Sequence, residues 1–118
     1  MMQGDGMEVE VSAEGKVTIV AIRGNVDGLT ADALLRVFAE RVTDGACCLV
    51  ADCAALTYTS SAGLRSLLGA VKLARQQGGD LRLAAIQPQV LRVLDLSGFT
   101  SILKHFPDVP RAVDSYAA

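Results

Sequence analysis

A chain of 118 residues with 51% apolar residues is long enough to enclose one hydrophobic core and too short for two. Eleven Lys and Arg against thirteen Asp and Glu leave a formal charge of -2, spread without any block of like charges, so nothing offers the electrostatic footing that nucleic acid needs. No stretch reaches the roughly 18 uncharged apolar residues of a membrane span, which argues against direct membrane insertion. The start, Met1-Met2-Gln3-Gly4-Asp5-Gly6, lacks the basic and long apolar regions of a secretory leader. The expectation is therefore a cytoplasmic protein forming a single domain over 1–118, with 1–6 as a flexible tail.

In chain order, Met7, Val9 and Val11 alternate with Glu8 and Glu10, which predicts a half-buried strand, and Glu14-Gly15 supplies a hairpin turn. Lys16 to Arg23 is β-branched and apolar on nearly every position, as an inner strand requires. Gly24 to Leu29 reads as a loop. Thr30 is the expected N-cap of a helix running to about Thr43, whose Ala31, Leu34, Leu35, Phe38 and Val42 share one face.

Ala46 to Ala51 is a short apolar run, read as a central strand covered on both sides, followed by a loop from Asp52 to Ser60. A second helix begins at Ser60 or Ser61, buries Leu64, Leu67, Leu68, Val71 and Ala74, and stops at Gly78-Gly79. Leu81, Leu83 and Ala85 predict another strand. Pro88 opens a short helix through Leu96, Ile102 to Phe106 reads as a last strand, and Asp108-Val109-Pro110 introduces a terminal helix to about Tyr116. The order implies an α/β fold: a single mixed sheet, with an initial hairpin and then parallel inner strands, packed with about four helices.

Cys47, Cys48 and Cys53 are an odd number and lie close together, which fits reduced core thiols better than a disulfide framework. Neighbouring strand residues point to opposite faces, so Cys47 and Cys48 are not expected to grip one metal. No cofactor or metal is expected.

Two segments stand out chemically. Thr59-Ser60-Ser61-Ala62-Gly63-Leu64 places hydroxyls where a helix begins, and three readings apply: helix capping, a phosphate acceptor favoured by the positive helix end, or a nucleophilic serine. The last lacks a base, since His105 is the sole histidine and falls in the expected last strand, and no Gly-x-Ser-x-Gly elbow surrounds Ser61. No phosphate-cradling glycine loop with a lysine is present either. The other segment, Gly24-Asn25-Val26-Asp27-Gly28-Leu29-Thr30, reads as a glycine-flanked turn. Inner parallel strands send their loops to one edge of the sheet, so both segments are expected on one surface.

Taken together, Val17–Arg23 followed by Gly24-x-Val26-Asp27-x-x-Thr30, Leu49-Val50-Ala51-Asp52-Cys53 leading to Tyr58-Thr59-Ser60-Ser61-Ala62-Gly63-Leu64, and Leu94-x-x-Ser97-Gly98-Phe99 resemble the STAS family (sulfate transporter and anti-sigma factor antagonist). The likeness is strongest to its small stand-alone bacterial antagonists and covers nearly the whole chain. It implies a non-enzymatic protein that binds an anti-sigma factor serine kinase of the GHKL type when unphosphorylated and is released on phosphorylation, with a PP2C-type phosphatase resetting it, so as to regulate transcription.

The resemblance assigns Ser61 as the phosphorylated residue, with Ser60 and Thr59 as secondary candidates. It also implies a partner-binding surface of Asp27, Gly28, Thr59, Ser60, Ser61, Ala62, Gly63 and Arg65. Where many members carry Asp before the phosphorylated serine, this chain has Ser60. The alternative function within the same family is a scaffold, or a subunit of a membrane-associated transport complex, without the switch.

Overall fold

The computed structural model describes residues 2–4 and 6–117, with side chains described from residue 6 onward. Six strands form one mixed sheet in chain order: β1 (Met2–Gly4), β2 (Met7–Glu14), β3 (Val17–Val26), β4 (Cys48–Thr59), β5 (Asp80–Ala84) and β6 (His105–Phe106). The first three pair antiparallel, and β3 to β6 run parallel. The expected hairpin is β2–β3, turning at Gly15 with φ +60°. Residues 2–4, expected in a flexible tail, instead pair with β2. The run Met-Gln-Gly carries no alternation that could have announced a strand, and the pairing is set by Met2 opposite Val9 and Gly4 opposite Met7.

Four α-helices connect and cover the sheet: α1 (Ala31–Thr43), α2 (Ser61–Gln76), α3 (Pro88–Leu96) and α4 (Val109–Asp114). Leu34 and Phe38 of α1, Leu67 and Val71 of α2, and Val90 and Leu94 of α3 pack with Ile22, Leu49, Ala51, Leu81 and Leu83 in the main core. The opposite face carries a smaller cluster in which α4, through Ala112, covers Val17, Val50 and Ala84. Strand β4 is thus covered on both faces along Leu49–Ala51, as expected of a central strand.

Two strands run well beyond their expected ends. Gly24–Val26 and Asp52–Thr59, read from sequence as loops, continue β3 and β4 as a parallel pair through to Val26 opposite Thr59. The pairing passes two register shifts, between Ala21 and Arg23 and between Gly24 and Asn25. Along β4 the inward residues after Ala51 are Cys53, Leu56 and Thr59. That spacing of three, imposed by the shifts, hides the period of two by which a strand is recognised.

At the other end of the chain, the last strand is only His105–Phe106. Phe99–Ser101 forms a 3-10 turn, and Ile102 to Lys104 lie outside regular structure. Ala85, expected to continue β5, turns out of it at φ 57°, and α4 stops two residues short of Tyr116.

The terminal segment is fastened by a polar lock. Asp80, at the start of β5, accepts from Arg75 Nε at 2.9 Å and Arg82 Nε at 3.1 Å. Arg82 donates through Nη1 to the Ser115 carbonyl at 2.7 Å and stacks 4.0 Å above the Tyr116 ring. The Tyr116 hydroxyl lies 2.7 Å from the Leu49 carbonyl and 2.8 Å from that of Asp80, and burial pushes its pKa above the usual phenol range.

Of the three cysteines, Cys53 is fully buried in the main core and Cys48 packs against the smaller cluster. Cys47 precedes β4, so strand alternation does not govern it, and both it and Cys48 are half-buried. Burial pushes the Cys53 thiol up to about 12, with the nearby Asp52 carboxylate acting in the same direction, so it stays protonated and unreactive at neutral pH. Burial, followed by Cys47, also raises Cys48.

Candidate functional site

The paired ends of β3 and β4 deliver both marked segments to one edge of the sheet. The amide of Ser60 donates to the Val26 carbonyl at 2.8 Å, which ties the start of α2 directly to the residue before Asp27. The contiguity expected from parallel topology is thus made by a main-chain hydrogen bond.

At the start of α2, Ser60 is the N-cap. Its backbone is extended (φ -92°, ψ 176°) and its Oγ accepts from the Gly63 amide at 3.3 Å. This satisfies one of the four amide donors that a helix leaves free at its first turn. An aspartate at this position would cap by the same geometry, so Ser60 supplies the cap without the negative charge. Ser61 is the first residue of the helix, exposed, and among the described residues its hydroxyl makes no hydrogen bond. Capping and availability are therefore divided between the two serines.

Thr59 is 5% exposed and its Oγ1 lies over the Ser60 carbonyl at 3.3 Å. A hydroxyl buried under the first turn of α2 is out of reach of a kinase or a docking partner, which removes Thr59 from both roles suggested for it. Gly63 is also buried. A Cβ there would collide with Thr59 Oγ1 and come within 3.1 Å of the Val26 carbonyl. Gly63 thus contributes by letting the helix sit against the end of β3, and it offers a partner no surface.

The first segment is a tight turn organised by Asp27. Its Oδ1 accepts from the Leu29 amide at 2.9 Å and the Thr30 amide at 3.2 Å. Thr30 Oγ1 in turn accepts from the Asp27 amide at 3.0 Å. Thr30 occupies the expected N-cap position of α1, but its side chain makes no capping hydrogen bond to the helix. Asp27 holds the turn ahead of the helix, and Thr30 faces inward at 2% exposure. Asp27 is half-buried, its carboxylate fixed by these contacts.

Between the two helix starts lies a shallow groove of about 310 Å³, lined by Gly28, Ala31, Asp32 and Leu35 on one side and Ala62, Arg65 and Ser66 on the other. It brings together Gly28, Ala62 and Arg65 of the suggested surface. Sequence reasoning did not single out Leu29, 79% exposed, and Tyr58, 53% exposed, which belong to the same two segments. A large apolar residue inside a glycine-flanked turn was the available signal for Leu29.

His105 is exposed on β6, opposite Leu83. Asp52 aligns with Ala84 and Ala84 with Phe106, and Thr59 lies seven residues further along β4 at about 3.3 Å each. Ser61 is therefore on the order of 20 Å from the imidazole, and a nucleophile–base pair is geometrically closed. No helix of the described residues is long and apolar enough to cross a membrane.

Comparison with known proteins agrees with this geometry. The family model for the STAS domain matches residues 8–112. BtrV of Bordetella bronchiseptica, named as a candidate anti-sigma factor antagonist, is 39% identical over 84 residues, covering 71% of this chain and 72% of that protein. The anti-sigma F factor antagonist of Paenibacillus polymyxa is 31% identical over 98 residues, covering 82% and 84% respectively. The crystal structure of an anti-sigma factor antagonist from Mycobacterium paratuberculosis superposes over 100% of both chains with a TM-score of 0.88 at 24% identity. With the family model matched over most of its length and two relatives above 30% identity, the chain belongs to the STAS domain family.

Proposed function

We propose that this protein is an anti-sigma factor antagonist acting in the cytoplasm. When Ser61 is unmodified it binds an anti-sigma factor that is also a serine kinase of the GHKL type. Phosphorylation of Ser61 by that kinase ends the complex, and a PP2C-type phosphatase restores it. The observation that carries this reading is the exposed, unbonded hydroxyl of Ser61, one residue past a serine already spent on capping and beside the Asp27 turn. The names of its relatives supply the class of partner.

The switch needs no change of shape. A phosphate at Ser61 adds about -1.5 to -2 charges at neutral pH, at a helix end that tolerates them. The fold is therefore left as it was, and the effect falls on the interface. A partner fitted to a neutral hydroxyl meets a dianion next to the fixed Asp27 carboxylate. Leaving such a charge buried and uncompensated costs several kcal/mol.

Incubation with the cognate kinase and ATP, followed by mapping of the product by mass spectrometry, is expected to find one phosphate, on Ser61. Modification confined to Ser60 would show that the capping serine is the acceptor and would refute the assignment.

A further inference from the structure

Arg65 is exposed, follows Ser61 by four residues on α2, and takes part in none of the ion pairs among the described residues. Residues four apart on a helix are neighbours on its surface. The Cα–Cβ bonds of a helix tilt toward its N-terminus, so the long side chain at the later position leans back over the earlier one. An acid at the first position and a base four residues later is the favourable order for such a pair. The unphosphorylated chain presents the base alone, because Ser61 is neutral.

Across the groove, Asp32 of α1 is the acidic residue of the lining, and Asp27 lies in the turn ahead of α1. Neither forms an ion pair with Arg65.

We propose that Arg65 is the internal counter-ion of phosphorylated Ser61, so that modification both adds the phosphate and withdraws the guanidinium from the docking surface. This regulation rests on the reading of Ser61 as the switch. Phosphorylation would then exchange a free cation beside the groove for a partly formed phosphate–guanidinium pair that still carries net negative charge, the planar guanidinium offering up to two N–H donors to the phosphate oxygens. A partner that used Arg65 in the unmodified complex would lose that contact at the same step that introduces the repulsive charge.

The test uses full-length protein carrying phosphoserine installed at position 61 during synthesis, which makes it independent of any kinase. The second ionisation of the phosphate is followed by phosphorus NMR in the otherwise wild-type chain and in Arg65→Gln and Arg65→Lys backgrounds. With Arg65 present the pKa is expected to lie about 0.3 lower than in the Arg65→Gln background. Lysine should restore part of the difference, and about 1 M salt should abolish it. Equal values in all three backgrounds at low salt would overturn the inference while leaving the kinase-mapping result for Ser61 untouched. Failure of that mapping would leave the pairing measured here intact.

Discussion

Replacing Ser61 by Asp is expected to weaken binding to the anti-sigma kinase by a hundredfold or more while leaving the melting temperature within about 2 °C of wild type. The two halves of this result have different physical origins. Ser61 is exposed, its hydroxyl is unbonded among the described residues, and the capping bond to Gly63 is made by Ser60. A carboxylate at the first helical position adds favourable charge at the positive end of α2 and removes nothing from the fold. On the proposed function, binding suffers because the new charge lands on the surface shared with Asp27 and Gly28. Ser61→Ala should bind as wild type does and resist phosphorylation. If Ser61→Asp binds normally, charge at this position is not what the partner senses.

A second large effect is expected far from that surface. In Asp80 the carboxylate is 11% exposed and holds Arg82, itself 14% exposed, together with the more open Arg75. Asp80→Ala leaves the Arg82 guanidinium largely buried without its acid, a defect costing about 3 kcal/mol. For a domain of this size that corresponds to a fall in melting temperature of roughly 10 °C. Because Arg82 also carries the Ser115 carbonyl and the Tyr116 ring, protection from amide exchange should be lost first in α4. A fall of less than about 2 °C would mean the lock is not what holds the C-terminal helix. Binding to the kinase should be preserved at temperatures where the variant is folded, since the lock and the Ser61 surface share no residues.

The contrast between these two regions also explains what could be read from the chain beforehand. Elements with an unbroken period were legible: the β2–β3 hairpin from its alternation, α1 and α2 from their apolar stripes, and the parallel arrangement of the inner strands from the helices that connect them. The far half of β4 was not, because register shifts moved Leu56 and Thr59 off the alternating pattern, and the end of β3 was disguised by Gly24-Asn25 although Val26 keeps its alternation with Val20 and Ile22. The Asp80 lock was invisible for another reason: apart from Arg75 and Arg82 beside Asp80, the groups it ties together lie 33 to 67 positions apart in sequence. At the site, the motif marked two segments that the hydrogen bond from the Ser60 amide to the Val26 carbonyl brings together. It could not divide the work among three consecutive hydroxyls, which depends on one being buried, one accepting from Gly63 and one pointing into solvent. Nor could it tell that Thr30 would face inward while Asp27 organised the turn.

The most direct test of the account is the dissociation constant of the complex with the cognate anti-sigma kinase, measured by calorimetry for the unmodified protein and for the same protein phosphorylated on Ser61. A rise of roughly a thousandfold on phosphorylation is predicted, equivalent to about 4 kcal/mol, with no accompanying loss of secondary structure. Equal affinity of the two forms would contradict the account.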